Sequence, residues 1–95
     1  MSDKLVYLNG HMDVPADRIA KVEAALPLHI ELTRGEPGCV SFDVVPSTQI
    51  EGRFKVAELF VDQAAFDAHQ KRTKASEWFR VTEGIPREFE IRVGE

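Results

Sequence analysis

Two runs of helical spacing, each bracketed by two-residue alternation, constrain this chain more than any other feature. KLVYLNGHM (4–12) alternates and is rich in β-prone residues, which predicts a strand. Ile19, Val22, Leu26, His29/Ile30 and Thr33 then recur at helical spacing, and Pro15 suits the first turn, where its missing N–H costs nothing. Pro27 lacks an N–H and crowds the preceding turn. Its position predicts two helical segments, about 15–25 and 27–34, kinked near Ala24 and sharing one buried side. GEPGC closes the helix, with Pro37 and Gly38 as the middle residues of a type II turn. CVSFDVV (39–45) reads as a strand, PSTQIEG (46–52) as a hairpin loop and RFKVAELFV (53–61) as a third strand. FVDQAAFDAHQKRT (60–73) carries that strand into a helix, and Asp62 is its N-cap because its carboxylate accepts a free N–H of the first turn. ASEWFRVTE (75–83) is a second helical piece ending at Gly84, and REFEIRV (87–93) is the last strand. The order β-α-β-β-α-β is the ferredoxin-like arrangement, an α+β fold with an antiparallel sheet.

The chain's 95 residues read as one domain, 1–95. A formal charge of −4, with no basic cluster longer than QKRTK (70–74), predicts no nucleic-acid partner. Residues 1–12 contain no uninterrupted apolar run, so neither a secretory signal nor a membrane contact is expected. Cys39 is the only cysteine and has no internal partner, which together with the missing signal predicts a cytoplasmic protein. Cys39 itself reads as a small buried hydrophobe. His11, His29 and His69 do not pair at i, i+4 spacing, and no metal site is expected.

The central strands look apolar on both sides. Phe54, Val56 and Phe60 alternate with Ala57, Leu59 and Val61; Val40, Phe42 and Val44 alternate with Cys39 and Val45. Two helices cover only one face of such a sheet. The other is expected to be covered by a second subunit in a two-fold homodimer.

HIELTRGEPGCVSFDV (29–44), FKVAELFVDQAAFDAHQ (54–70) and the closing REFEI together resemble the antibiotic biosynthesis monooxygenase family, the dimeric α/β barrels that include the quinol monooxygenases. The likeness covers residues 4 to 92. Its combination is TRGEPGC leading into a strand, then E-x-x-x-D and A-x-x-x-H about twenty residues later. The resemblance implies a homodimer. In catalytic members it implies oxidation of a small aromatic hydroquinone or phenol by O₂ with no cofactor: no flavin, haem or metal. The alternatives are a non-catalytic dimeric module that binds a small apolar ligand, and a haem-binding or haem-degrading protein. The haem degraders combine a first-strand asparagine with a tryptophan and a later histidine, whereas here His69 precedes Trp78.

Cofactor-free oxidation needs a base, a cavity that excludes water and donors for the developing anion. Histidine suits the base because its ordinary pKa lies near working pH. His69 matches the histidine of A-x-x-x-H and is the candidate base; the competing assignment is a half-buried histidine bonded to a backbone carbonyl. His29, on the apolar stripe of the first helix, is the second catalytic candidate, or else a helix-surface histidine. Trp78, Asn9, Phe66 and Glu58 are the candidate substrate contacts. Trp78 offers an aromatic stack or a lid, Asn9 a donor to bound oxygen or a rim group, and Phe66 a cavity wall or core. Glu58, an acid between Ala57 and Leu59, either pairs with Arg34, Arg53 or Arg72 or orients a histidine, because a buried carboxylate must be paired or protonated.

Overall fold

A computed structural model describes residues 4–94; residues 1–3 and 95, and with them the ends of the predicted domain, lie outside the described residues. Four strands, β1 (Leu5–Asp13), β2 (Cys39–Pro46), β3 (Arg53–Phe60) and β4 (Arg87–Gly94), form one sheet in the order β2-β3-β1-β4. Every neighbouring pair is antiparallel. The helices are α1 (Ile19–Arg34), α2 (Gln63–Lys74) and the short α3 (Glu77–Thr82). This is the ferredoxin-like α+β arrangement that the element order predicts.

Local chemistry accounts for the turns. Asp62 Oδ1 accepts the Ala65 N–H at 2.8 Å and caps α2. At the GEPGC turn the Cys39 N–H donates to the Glu36 carbonyl at 3.1 Å, and Gly38 has φ 94°, as a type II turn requires. A side chain at Gly38 would also bring its Cβ within 2.6 Å of the Ala65 Cβ. Glycine therefore lets this turn lie against α2, and the turn carries Glu36 with it.

Two local expectations are corrected. The helix does not break at Pro27: α1 is continuous from Ile19, after a 3-10 turn at Ala16–Arg18. Pro27 lies on the exposed side, where water can satisfy the carbonyl left without a donor. Val22, Leu26, His29 and Thr33 are buried on both sides of it. The alternation also fails at Val40, because a bulge separates Cys39, opposite Phe60, from Ser41, opposite Leu59. Val40 is 54% exposed, and Cys39, not Val40, packs on the core.

The core lies between the helices and one sheet face. Val6, Leu8 and Met12 of β1, Phe42 and Val44 of β2, and Phe54, Val56 and Phe60 of β3 bury against Val22 and Leu26 of α1 and Phe66 of α2. The opposite face is mixed, not apolar. Its register aligns Asn9 with Ala57 and Glu90, and His11 with Lys55 and Glu88. Uncovered apolar surface lies elsewhere, on the helix side of the edge strand. Phe89, Ile91 and Val93 stand opposite Gly10, Leu8 and Val6 and are 40, 52 and 54% exposed. The helices leave β4 uncovered. No helix among the described residues is long and apolar enough to cross a membrane.

Candidate active site

Helical spacing brings the two interior histidines together. His29 lies one turn before Thr33 on the buried stripe of α1, and His69 lies one turn after Phe66 on that of α2. Their ring centroids are 6.0 Å apart. Both border a cavity of about 260 Å³ that Glu58, Phe42, Leu8, Met12 and Trp78 also line. A cavity of roughly 150 Å³ holds one benzene, so this one admits a substituted ring.

His69 is 3% exposed and sits between two carboxyl groups. Its Nδ1 lies 2.9 Å from Glu36 Oε1, and its Nε2 lies 3.7 Å from Glu58 Oε1 and 3.5 Å from Thr73 Oγ1. The other Glu36 oxygen accepts from Arg72 Nε, and Arg72 Nη2 donates to Thr33 Oγ1 at 3.0 Å. Burial, the largest influence, and the Arg72 charge together lower the His69 pKa more than the Glu36 charge and hydrogen bond raise it. The imidazole is therefore neutral at neutral pH and has one N–H. Glu36 can only accept from it, so the proton sits on Nδ1. The Nε2 lone pair is left on the Glu58 and cavity side.

His29 is held neutral more strongly. Burial, then the charges of His69 and Arg72, push its pKa down to about 3. Its ring stacks on Trp78 at 4.8 Å and 6° and meets the Phe42 edge at 5.3 Å. Its Nδ1 is buried without a hydrogen-bond partner among the described residues. Glu58 lies opposite Leu8 on β1 and Phe42 on β2. Burial, and secondarily the Glu36 charge, push its carboxyl up to about 7. None of the three arginines proposed as its ion-pair partner reaches it. Arg34 pairs with Asp43, Arg53 with Asp13 and Arg72 with Glu36.

Four of the six predicted site residues, His69, His29, Trp78 and Glu58, thus line one cavity. Two do not. Asn9 is on the opposite sheet face, because β1 alternates and Leu8 takes the core side. Phe66 packs in the core against Phe60, with ring centroids 5.6 Å apart. Sequence reasoning missed Glu36, which stood only as a turn residue, and the pairing of Arg72 with it. The one available signal was Arg72 three positions after His69, on the adjoining helical surface. Burial pushes the Cys39 thiol up, which disfavours the thiolate a nucleophile would need. Among the described residues, no group of three or more His, Cys, Asp or Glu is placed to hold a metal ion. A larger groove, about 610 Å³, runs between α1 and the end of β2. Its charged residues, Glu23, Glu31 and Arg34, are all exposed, so it lacks the buried titratable groups of the His69 cavity.

The arrangement is suited to removing a proton from an acidic O–H or C–H inside an apolar, aromatic-walled space. The family model described as antibiotic biosynthesis monooxygenase matches residues 5–81. No curated protein matches the chain. Among solved structures, a protein from Nitrosomonas europaea named as a candidate antibiotic biosynthesis monooxygenase superposes with a TM-score of 0.84 at 21% identity, over 99% of this chain and 93% of its own. A conserved protein from Bacteroides thetaiotaomicron, named as a possible oxidoreductase, gives 0.78 at 17% identity, over 97% of each chain. A further candidate monooxygenase, from Caulobacter crescentus, gives 0.73 at 20% identity, over 95% of this chain and 89% of its own. At these identities the structural likeness shows the fold.

Proposed function

Because the chain belongs to the antibiotic biosynthesis monooxygenase family, we propose that it oxidises a small hydroquinone- or phenol-like compound with O₂, without a cofactor, and that His69 is the general base. The observation that carries this function is the state of His69: neutral, tied at Nδ1 to Glu36, and turned at Nε2 toward an apolar cavity, where the Thr73 hydroxyl makes only a long 3.5 Å contact. The substrate O–H gives its proton to Nε2, and the resulting electron-rich anion is the reductant of O₂. One oxygen atom enters the product and the other leaves as water. Trp78 and His29, already stacked, supply a flat wall for the ring.

The test is O₂ uptake by chelator-treated, colourless protein with a panel of hydroquinones, catechols and naphthols. Uptake above autoxidation is expected, falling by about 10²–10⁴ in His69→Ala. No uptake across the panel would reject the oxygenase in favour of a binding module. Uptake unchanged in His69→Ala would keep the enzyme and discard the base.

The assembly that fits this function is a cytoplasmic homodimer of single-domain chains. Support comes from Phe89, Ile91 and Val93, whose exposed row adjoins the cavity through Phe89. Static light scattering is expected to give twice the chain mass of 10.7 kDa at micromolar concentration; a monomer would reject the dimer.

A further inference from the structure

Glu58 is the only polar side chain that β1 and β3 direct to the core face. Its side chain is 10% exposed, and its Oε1 is buried with no hydrogen-bond partner among the described residues. That oxygen is 3.7 Å from His69 Nε2, beyond hydrogen-bond distance, and both residues border the same cavity. A buried carboxyl without a partner is costly, and a leucine would fit the apolar register between Leu8 and Phe42 at no such cost. The unfilled hydrogen-bonding capacity of Glu58 and the His69 Nε2 lone pair, which holds only the long 3.5 Å contact to Thr73 Oγ1, converge where one ligand oxygen could meet both.

We infer that Glu58 is a catalytic residue whose protonated carboxyl donates its O–H to the same substrate oxygen that gives its proton to His69 Nε2. This role presupposes the phenol oxidation proposed above. The substrate O–H bond breaks, and an N–H bond forms with the imidazole lone pair. The electron pair stays on the oxygen, which accepts the Glu58 hydrogen bond. Glu58 keeps its own proton, and nothing is oxidised or reduced in this step. The new imidazolium still donates through Nδ1 to Glu36.

The surroundings keep Glu58 in the donating form. Leu8 of β1 and Phe42 of β2 flank it without charge, and α3 contributes Trp78 and Phe79. The neutral His29 of α1 and His69 of α2 face the same cavity. Glu36, with Arg72 bound behind it, opposes ionisation. The remaining cavity cations are Lys74 of α2 and Arg87 of β4; both are exposed, and Arg87 is bonded to the Ile85 and Thr82 carbonyls. Burial with the Glu36 charge holds the carboxyl up to about 7, so the donor predominates below neutral pH and gives way to a repelling carboxylate above it.

The probe is p-nitrophenol, which O₂ does not oxidise and whose phenolate absorbs visible light. Its binding is measured by absorbance titration from roughly pH 5 to 9, in wild type, Glu58→Gln and Glu58→Leu. Glutamine keeps a neutral donor and cannot ionise; leucine removes the donor. Wild-type affinity is expected to lose up to about tenfold per pH unit above 7, relative to Glu58→Gln, which lacks this limb. Glu58→Leu should bind about tenfold more weakly at pH 6. The same pH profile in wild type and Glu58→Gln, or no binding of millimolar p-nitrophenol by wild type, would overturn the role. The limb without any O₂ uptake would sustain Glu58 as donor while rejecting the oxygenase. O₂ uptake without the limb would do the reverse.

Discussion

Glu36→Gln is expected to lower turnover nearly as far as His69→Ala, by about 10²–10⁴, although residue 36 touches no substrate. The two Glu36 oxygens have separate duties: one accepts from Arg72 and the other from His69. A glutamine has one oxygen. The guanidinium is always a donor and makes the stronger, charge-assisted bond, so the oxygen turns to Arg72. The amide NH₂ then faces His69 Nδ1 and can only donate to it. The neutral imidazole must carry its proton on Nε2, and the lone pair that would take the substrate proton is gone. Glu36 is thus a positioning residue. Nitrogen chemical shifts of His69 separate this from a merely structural role: the wild type should show the Nδ1–H tautomer and Glu36→Gln the Nε2–H tautomer. Activity within about threefold of wild type, or an unchanged tautomer, would refute the assignment.

Stability should depend on pH through His29 and Glu58 in opposite directions. The folded pKa of His29, about 3, lies below its ordinary 6.5. As pH falls below 6.5 the unfolded chain takes up the proton first, so stability is lost progressively from about 6.5 down to about 3. Fully realised, that loss is on the order of 5 kcal/mol, comparable with the whole stability of a small domain. His69, whose pKa burial also lowers, adds a loss of the same sign. Glu58 is raised from 4.5 to about 7. As pH rises through this window the unfolded chain releases its proton first, and stability falls by about 3 kcal/mol. Between about 4.5 and 6.5 the His29 and Glu58 slopes cancel, which masks both in the wild type. Single substitutions should unmask them. In urea unfolding, Glu58→Gln should gain about 3 kcal/mol over wild type on going from pH 4.5 to pH 7.5. His29→Gln should gain on going the other way, from pH 6.5 to pH 3.5. A difference from wild type that does not change with pH, in either variant, would rule out the burial of that group as an ionisable cost.

The element order, the Asp62 cap and the Pro37–Gly38 turn were legible in the sequence. Each depends on energetics confined to about four neighbouring positions: the periods of helix and strand, a carboxylate beside free N–H groups, a glycine at positive φ. The same locality put His29 and His69 on inward helical faces. The tertiary structure alone decided the rest. Pro27 was accommodated because its side of α1 is exposed, and Val40 was expelled by a bulge whose register spans two strands. Three arginines competed for Glu58 on paper, and distant acids claimed all of them. Glu36 reached His69 across 33 positions because a glycine turn packs flat against α2. A charge finds its partner through long-range geometry, and no local pattern encodes which carboxylate will be left alone in the cavity.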